Sequence, residues 1–170
     1  IPAAIDCKEA GPAPASLLYA FPSMDTLDRW LVCARAPGLL ARHLALATAT
    51  LGEPLALAGA RHDELAPLRL PEAAAAWLAR PDPQRIAADR RWLERNGAQL
   101  IGCTDPQYPP LLTAIDDAPA CLFVRGETEA LLSAQLAMVG SRTPTAGGRR
   151  DAHEFARHFA CGGLVITSGL

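Results

Sequence analysis

From Asp25 the apolar residues Leu27, Trp30, Leu31 and Ala34 fall at i, i+3, i+4 and i+7, the stripe of an amphipathic helix, with Asp25 placed to cap it. Pro37-Gly38 breaks that pattern. Leu40, Leu44, Ala47 and Leu51 then mark a second helical stripe, which Gly52 closes. Pro71 suits the first position of a third helix ending near Ala79. After Pro81-Asp82-Pro83 a further helix runs over about Gln84–Asn96 and stops at Gly97. At Gln99 the texture changes to short apolar runs, Leu100–Cys103 and Ala120–Val124, with Tyr108-Pro109-Pro110-Leu111-Leu112 between them. Leu136–Gly140 reads as a buried parallel strand. Helical spacing returns at Ala152, Phe155, Ala156 and Phe159, Gly162-Gly163 stops it, and Leu164–Thr167 is a second strand. Strand, turn, helix and strand within about 32 residues predict a right-handed βαβ unit.

This pattern divides the chain into an all-helical domain over 24–97 and the start of a parallel α/β sheet over 98–170. Residues 1–23 stand apart. They are rich in Ala and Pro, lack periodicity, and carry Pro2, Pro12, Pro14 and Pro22, which interrupt the apolar core of any signal peptide. The chain opens on Ile1, and Met24 is the first methionine. We expect 1–23 to be a non-native or disordered leader, with the native start at Met24. At the other end the sequence stops at Thr167-Ser168-Gly169-Leu170, directly after a strand, and a parallel sheet is not finished there. The sheet is expected to be truncated at this point, in a piece of a longer protein.

Composition narrows the function classes. The 170 residues are 50% hydrophobic and 20% charged, which excludes a disordered tail or a rod, and no apolar run reaches the length of a membrane span. Net charge is −2, so a polyanionic partner must be held by a local patch. Lys8 is the single lysine. Every later cation is an arginine, whose planar fork matches phosphate or carboxylate. Cys7, Cys33, Cys103, Cys121 and Cys161 are scattered without a C-x-x-C pair, and read as reduced residues of a cytoplasmic protein.

Chemistry is expected where strands end and the next helix begins. The turn Gly140-Ser141-Arg142-Thr143-Pro144-Thr145-Ala146-Gly147-Gly148 offers amides, hydroxyls and one guanidinium at a positive helix end, a set that favours an anion. Ser168-Gly169 follows the second strand. Arg149 and Arg150 at the helix start oppose its dipole, which makes sense if an anion neutralises them. The turn is neither G-x-G-x-x-G nor a P-loop. His153 and His158 lie about 140° apart on a helix and cannot share a metal ion. No Ser–His–Asp or Cys–His set can be assembled, so hydrolysis lacks support; no catalytic residues, metal or cofactor are expected. Pro37-Gly38 joins two helices in a helix-hairpin-helix outline. Such turns grip DNA phosphates through backbone amides, but this turn lacks a second glycine, and a purely structural hairpin is the better reading. Arg85, Arg90, Arg91 and Arg95, interleaved with Asp89 and Glu94, read as a solvated face.

From roughly Trp77 onward the sequence resembles the DprA/Smf family of DNA-processing proteins. The likeness is carried by Tyr108-Pro109 with Leu112, by Ala118-Pro119 running into Leu122-Phe123-Val124-Arg125-Gly126, by Met138-Val139-Gly140-Ser141-Arg142, by Gly147-Gly148, and by Thr167-Ser168-Gly169-Leu170. The helices from Met24 are similar to that family's SAM-like or helix-hairpin-helix leader. The resemblance implies an extended Rossmann-like domain that binds single-stranded DNA without turning it over. It also implies a role in natural transformation, protecting incoming strands and loading RecA past single-strand-binding protein, and a homodimer in the full-length family. The implied phosphate contacts are Gly140, Ser141, Arg142, Thr143, Gly147, Ser168 and Gly169, with Pro37 and Gly38 as weaker hairpin candidates. The alternatives are a nucleotide-binding Rossmann enzyme of the lysine-decarboxylase-like phosphoribohydrolase type, and a structural or partner-binding piece with no ligand.

Overall fold

The computed structural model describes residues 24–169, so the expectations for 1–23 lie outside the described residues. Two compact units divide the chain after Gly126.

The first unit is built on helices whose ends follow local chemistry. α1 (Thr26–Arg35) starts at Asp25, whose carboxylate accepts the Asp28 amide at 2.9 Å. α2 (Ala41–Leu51) stops at Gly52, which takes the left-handed conformation, φ 90°, that ends a helix at no steric cost. The one-turn α3 (His62–Leu65) leads to α4 (Glu72–Ala79), with Pro71 at the N-cap, one residue before the helical position expected for it. α5 (Pro83–Asn96) is capped by Asp82, which accepts the Gln84 amide at 2.9 Å, and ended by Gly97. Leu31, Leu44, Leu57, Leu65, Leu68 and Leu78 are fully buried in one cluster. Each such leucine contributes about 1.5–3 kcal/mol by leaving water. Directional ties then fix the helices. The Trp77 indole donates to the Val32 carbonyl at 2.8 Å, and Arg35 holds Asp89 through two bonds of 2.5 and 2.7 Å.

Arg90 corrects the reading of α5 as a solvated arginine face. Its guanidinium meets Asp25 at 2.6 Å and Asp28 at 2.7 Å, which pins the start of α1 to α5. The N-cap Asp25 and the first-turn Asp28 of α1 supply the two carboxylates.

β1 (Ala98–Gly102) follows Gly97 and pairs antiparallel with β2 (Cys121–Arg125), in a register running from Ala98 opposite Arg125 to Gly102 opposite Cys121. Ala98 and Leu100 pack on the helical core. Gly102 lies under the Trp30 ring, where any Cβ would overlap the indole. The connection between the strands is anchored by Tyr108, buried, whose hydroxyl donates to the Pro119 carbonyl at 2.7 Å. A β-bridge between Leu40 and Pro119, with the Ala41 amide on the Ala118 carbonyl at 2.9 Å, ties this connection to the start of α2.

The second unit holds the βαβ segment: β3 (Gln135–Ala137), α6 (Ala146–Cys161) and β4 (Val165–Thr167). β3 and β4 are parallel, with Gln135, Leu136 and Ala137 opposite Val165, Ile166 and Thr167. Parallel pairing among the described residues is confined to these two strands. The runs near 100 and 122, expected to belong to the same parallel sheet, form the separate antiparallel pair instead. β3 is also shorter than the run Leu136–Gly140. Thr145 caps α6 by accepting the Gly148 amide at 3.1 Å. Phe155 and Phe159 stack along α6 with centroids 6.3 Å apart, and no α6 residue is buried. Among the described residues no helix is long and apolar enough to cross a membrane.

Candidate functional site

Both parallel strands end at the same place. The Met138 amide, one residue past β3, donates to the Thr167 carbonyl at 2.8 Å, the last residue of β4. The chain therefore leaves β3 as Val139-Gly140-Ser141-Arg142 beside the point where it leaves β4 as Ser168-Gly169. The strand-end geometry brings the two predicted loops together.

The first loop is ordered by its own hydroxyls. Ser141 Oγ accepts the Thr143 amide at 3.1 Å and lies 3.5 Å from Thr143 Oγ1. Pro144 and Thr145 then lead into α6. Thr145 satisfies the Gly148 amide through its side chain and the Arg149 amide through its carbonyl at 3.0 Å. Gly147 sits in the first turn. A Cβ on Gly140, Gly147 or Gly169 would meet no atom within 4 Å, so the backbone there faces open space. Arg142 is exposed and enters no hydrogen bond or ion pair among the described residues. Ser168 is exposed, and its hydroxyl has a 3.4 Å contact with the Gly169 carbonyl.

Charge in this segment is locally positive although the chain is not. Between Gly140 and Cys161 stand Arg142, Arg149, Arg150 and Arg157 against Asp151 and Glu154. The first turn of α6 has no acidic residue. Arg149 and Arg150 each oppose the positive end of the helix dipole, at a cost of about 0.3–1 kcal/mol apiece that a bound anion offsets. Exposed amides, two ordered hydroxyls and an unpaired guanidinium suit an anion with several oxygens, such as a phosphodiester.

The hairpin candidates sit elsewhere, in the first unit. Gly38 has φ 75°, and a Cβ there would press on Pro71. The amides that follow are engaged inside the unit: Leu39 with the Ala36 carbonyl, Leu40 with His43 Nδ1 at 3.0 Å, and Ala41 with the Ala118 carbonyl. Pro37-Gly38 is thus a packed turn whose neighbouring donors are committed to protein acceptors.

Two features escaped sequence reasoning. A cleft of about 400 Å³ lies between the start of α2 and the 103–118 connection, lined in part by Arg42, Cys103, Thr104, Thr113 and Asp116. Arg42 spans it, donating to the Asp116 carbonyl at 2.5 Å. Trp92 and Phe123, 31 positions apart, meet edge to face; the arginines around Trp92 were the available signal. Thiol chemistry is disfavoured at Cys33, Cys103 and Cys121. Burial pushes Cys121 up to about 12 and lifts Cys33 and Cys103 as well, so these sulfurs stay protonated. Among the described residues no group of three or more His, Cys, Asp or Glu is placed to hold a metal ion.

In comparison with known proteins, residues 99–170 match the family described as DNA recombination-mediator protein A. Protein Smf of Escherichia coli (strain K12) is 47% identical over 79 residues, covering 46% of this chain and 21% of that protein. DNA processing protein DprA of Bacillus subtilis (strain 168) is 35% identical over 89 residues, covering 52% of this chain and 29% of that protein. The chain thus matches less than a third of the length of either curated relative. The matched segment takes in β2, the βαβ unit and both strand-end loops, and over residues 99–170 the chain is similar to that family.

Proposed function

We propose that this chain works in DNA processing by binding single-stranded DNA at the paired strand ends of its second unit. Arg142 clamps a phosphate, Ser141 and the loop amides donate to its oxygens, and Ser168-Gly169 flanks the same strand. Thr143 and Gly147 shape the loop and open its approach. We read β3–α6–β4 as one unit of a Rossmann-like sheet. In this reading the protein is a recombination mediator of natural transformation, acting in the cytoplasm. It protects incoming strands, hands them to RecA in the presence of single-strand-binding protein, and works as a homodimer. Its work is binding and positioning, with no cofactor and no turnover.

The observation that carries the reading is the free guanidinium of Arg142 in a Gly-Ser-Arg loop beside Ser168-Gly169, inside the segment that matches the family. Phosphate contact by arginine is sequence-independent and releases counterions, so affinity must fall with salt. Fluorescence polarisation with labelled oligothymidine tests it. Arg142→Ala is expected to weaken binding across sequences and reduce the salt slope by about one. An unchanged slope removes Arg142 from the phosphate contact. Competition by AMP at equal site concentration would instead indicate a mononucleotide pocket.

A further inference from the structure

Trp92 on α5 and Phe123 on β2 form an edge-to-face pair, centroids 6.3 Å apart and planes at 85°. Both remain open to solvent, 45% and 47% exposed, whereas the other two tryptophans are engaged in the fold: Trp30 covers Gly102 and Trp77 donates to Val32. An exposed aromatic pair held at fixed geometry is a costly surface unless something flat covers it.

The surroundings say what kind of partner fits. Arg95 lies one turn after Trp92 on α5, with its Nε on the Arg91 carbonyl at 3.2 Å, which leaves the rest of its guanidinium free. Arg125 lies two residues after Phe123, on the same face of β2, opposite Ala98 and so close in sequence register to the end of α5 at Asn96. Neither arginine enters an ion pair among the described residues. Of the acids on α5, Asp89 is taken by Arg35, and Glu94 is turned about 200° round the helix from Trp92. Two aromatic rings flanked by two uncompensated guanidiniums match a polyanion that also carries flat apolar rings.

We propose that Trp92 and Phe123 form a base-stacking platform for an unpaired nucleotide of single-stranded nucleic acid, with Arg95 and Arg125 on the adjoining phosphates. This would be a second contact, in the first unit, and it rests on the single-strand reading above. The phosphate loop is blind to bases, while this platform senses their rings and tolerates any base, since each has a π-face.

The test uses the whole chain with two strands of equal length, oligothymidine and an abasic deoxyribose-phosphate polymer. Wild type is expected to bind oligothymidine about tenfold more tightly than the abasic strand, with quenching of tryptophan fluorescence. Trp92→Leu should lower oligothymidine affinity about tenfold, to the abasic level, and leave abasic binding unchanged; Trp92→Phe should keep most of the preference. Arg142→Ala should lower both strands alike. Circular dichroism verifies that each variant is folded. If Trp92→Leu weakens both strands equally or neither, the platform is refuted. Quenching that follows protein concentration without DNA would reassign the pair to self-association and also refute it. If Arg142→Ala has no effect while the base preference still depends on Trp92, the phosphate-loop reading fails and the platform stands. A chain that binds neither strand overturns both.

Discussion

The amide of Met138 and the carbonyl of Thr167 are joined at 2.8 Å, one hydrogen bond beyond the register of β3 and β4. That bond carries the parallel pairing up to the threshold of both loops. It fixes the spacing between the Gly140–Arg142 turn and Ser168-Gly169, which no contact within either loop could do alone.

Replacing Arg142 by lysine separates charge from shape. Lys keeps one positive group but loses the planar fork that can hold two phosphate oxygens. Arg142→Lys is expected to retain the salt slope of wild type while binding oligothymidine several-fold more weakly, as titrations at three salt concentrations would show.

Gly102 lies beneath the Trp30 indole with no room for a methyl group. Gly102→Ala should destabilise the first unit by about 1–3 kcal/mol, the usual cost of overpacking. Trp30→Leu in the same chain should relieve much of that loss. A double-mutant cycle by urea unfolding measures the coupling, and additive effects would show that the two residues do not touch.

Tyr108 is buried and donates its hydroxyl to the Pro119 carbonyl at 2.7 Å. Tyr108→Phe keeps the ring but leaves that carbonyl without its partner, at a cost of about 1–3 kcal/mol. Because the same connection bridges to Leu40, amides near the start of α2 should shift in a heteronuclear NMR spectrum.

His43 is buried, and its Nδ1 accepts the Leu40 amide at 3.0 Å, a bond that needs an unprotonated nitrogen. Burial, with a smaller push from Arg42, holds its pKa below the ordinary 6.5. The unfolded chain therefore binds more protons than the folded one between the folded pKa and 6.5. Stability should be full above 6.5, decline as pH falls through that window, and level off for this group once the folded pKa is passed. His43→Asn keeps a side-chain acceptor without titrating there, and should flatten the pH 5.5–7.5 portion of a urea-midpoint profile.

Helix ends were the most legible part of the sequence because each rests on one local residue. Asp25, Gly52 and Gly97 cap or stop the helices they were read to control. Strand direction was legible for β3 and β4, which a crossover helix joins, but not for β1 and β2. Runs such as Leu100–Cys103 and Ala120–Val124 state that a segment is buried, but not whether its neighbour runs with it or against it. Long-range partners were equally hidden. Arg90 reaches Asp25 across 65 positions, and no spacing rule links them. At the candidate site, the loop and its place after a strand came from the residues, while the unpaired state of Arg142 required the fold.

The first unit buries whole leucines, whereas α6 buries none of its sixteen residues. Its amides are consequently protected by helical bonds alone, and can trade hydrogen for deuterium through brief local openings. Those of α1 and α5 around Leu31 and Leu93 must wait for the core itself to come apart. In a deuterium-uptake experiment α6 should label early, and a DNA strand seated at its N-terminus should slow that labelling most in its first turn.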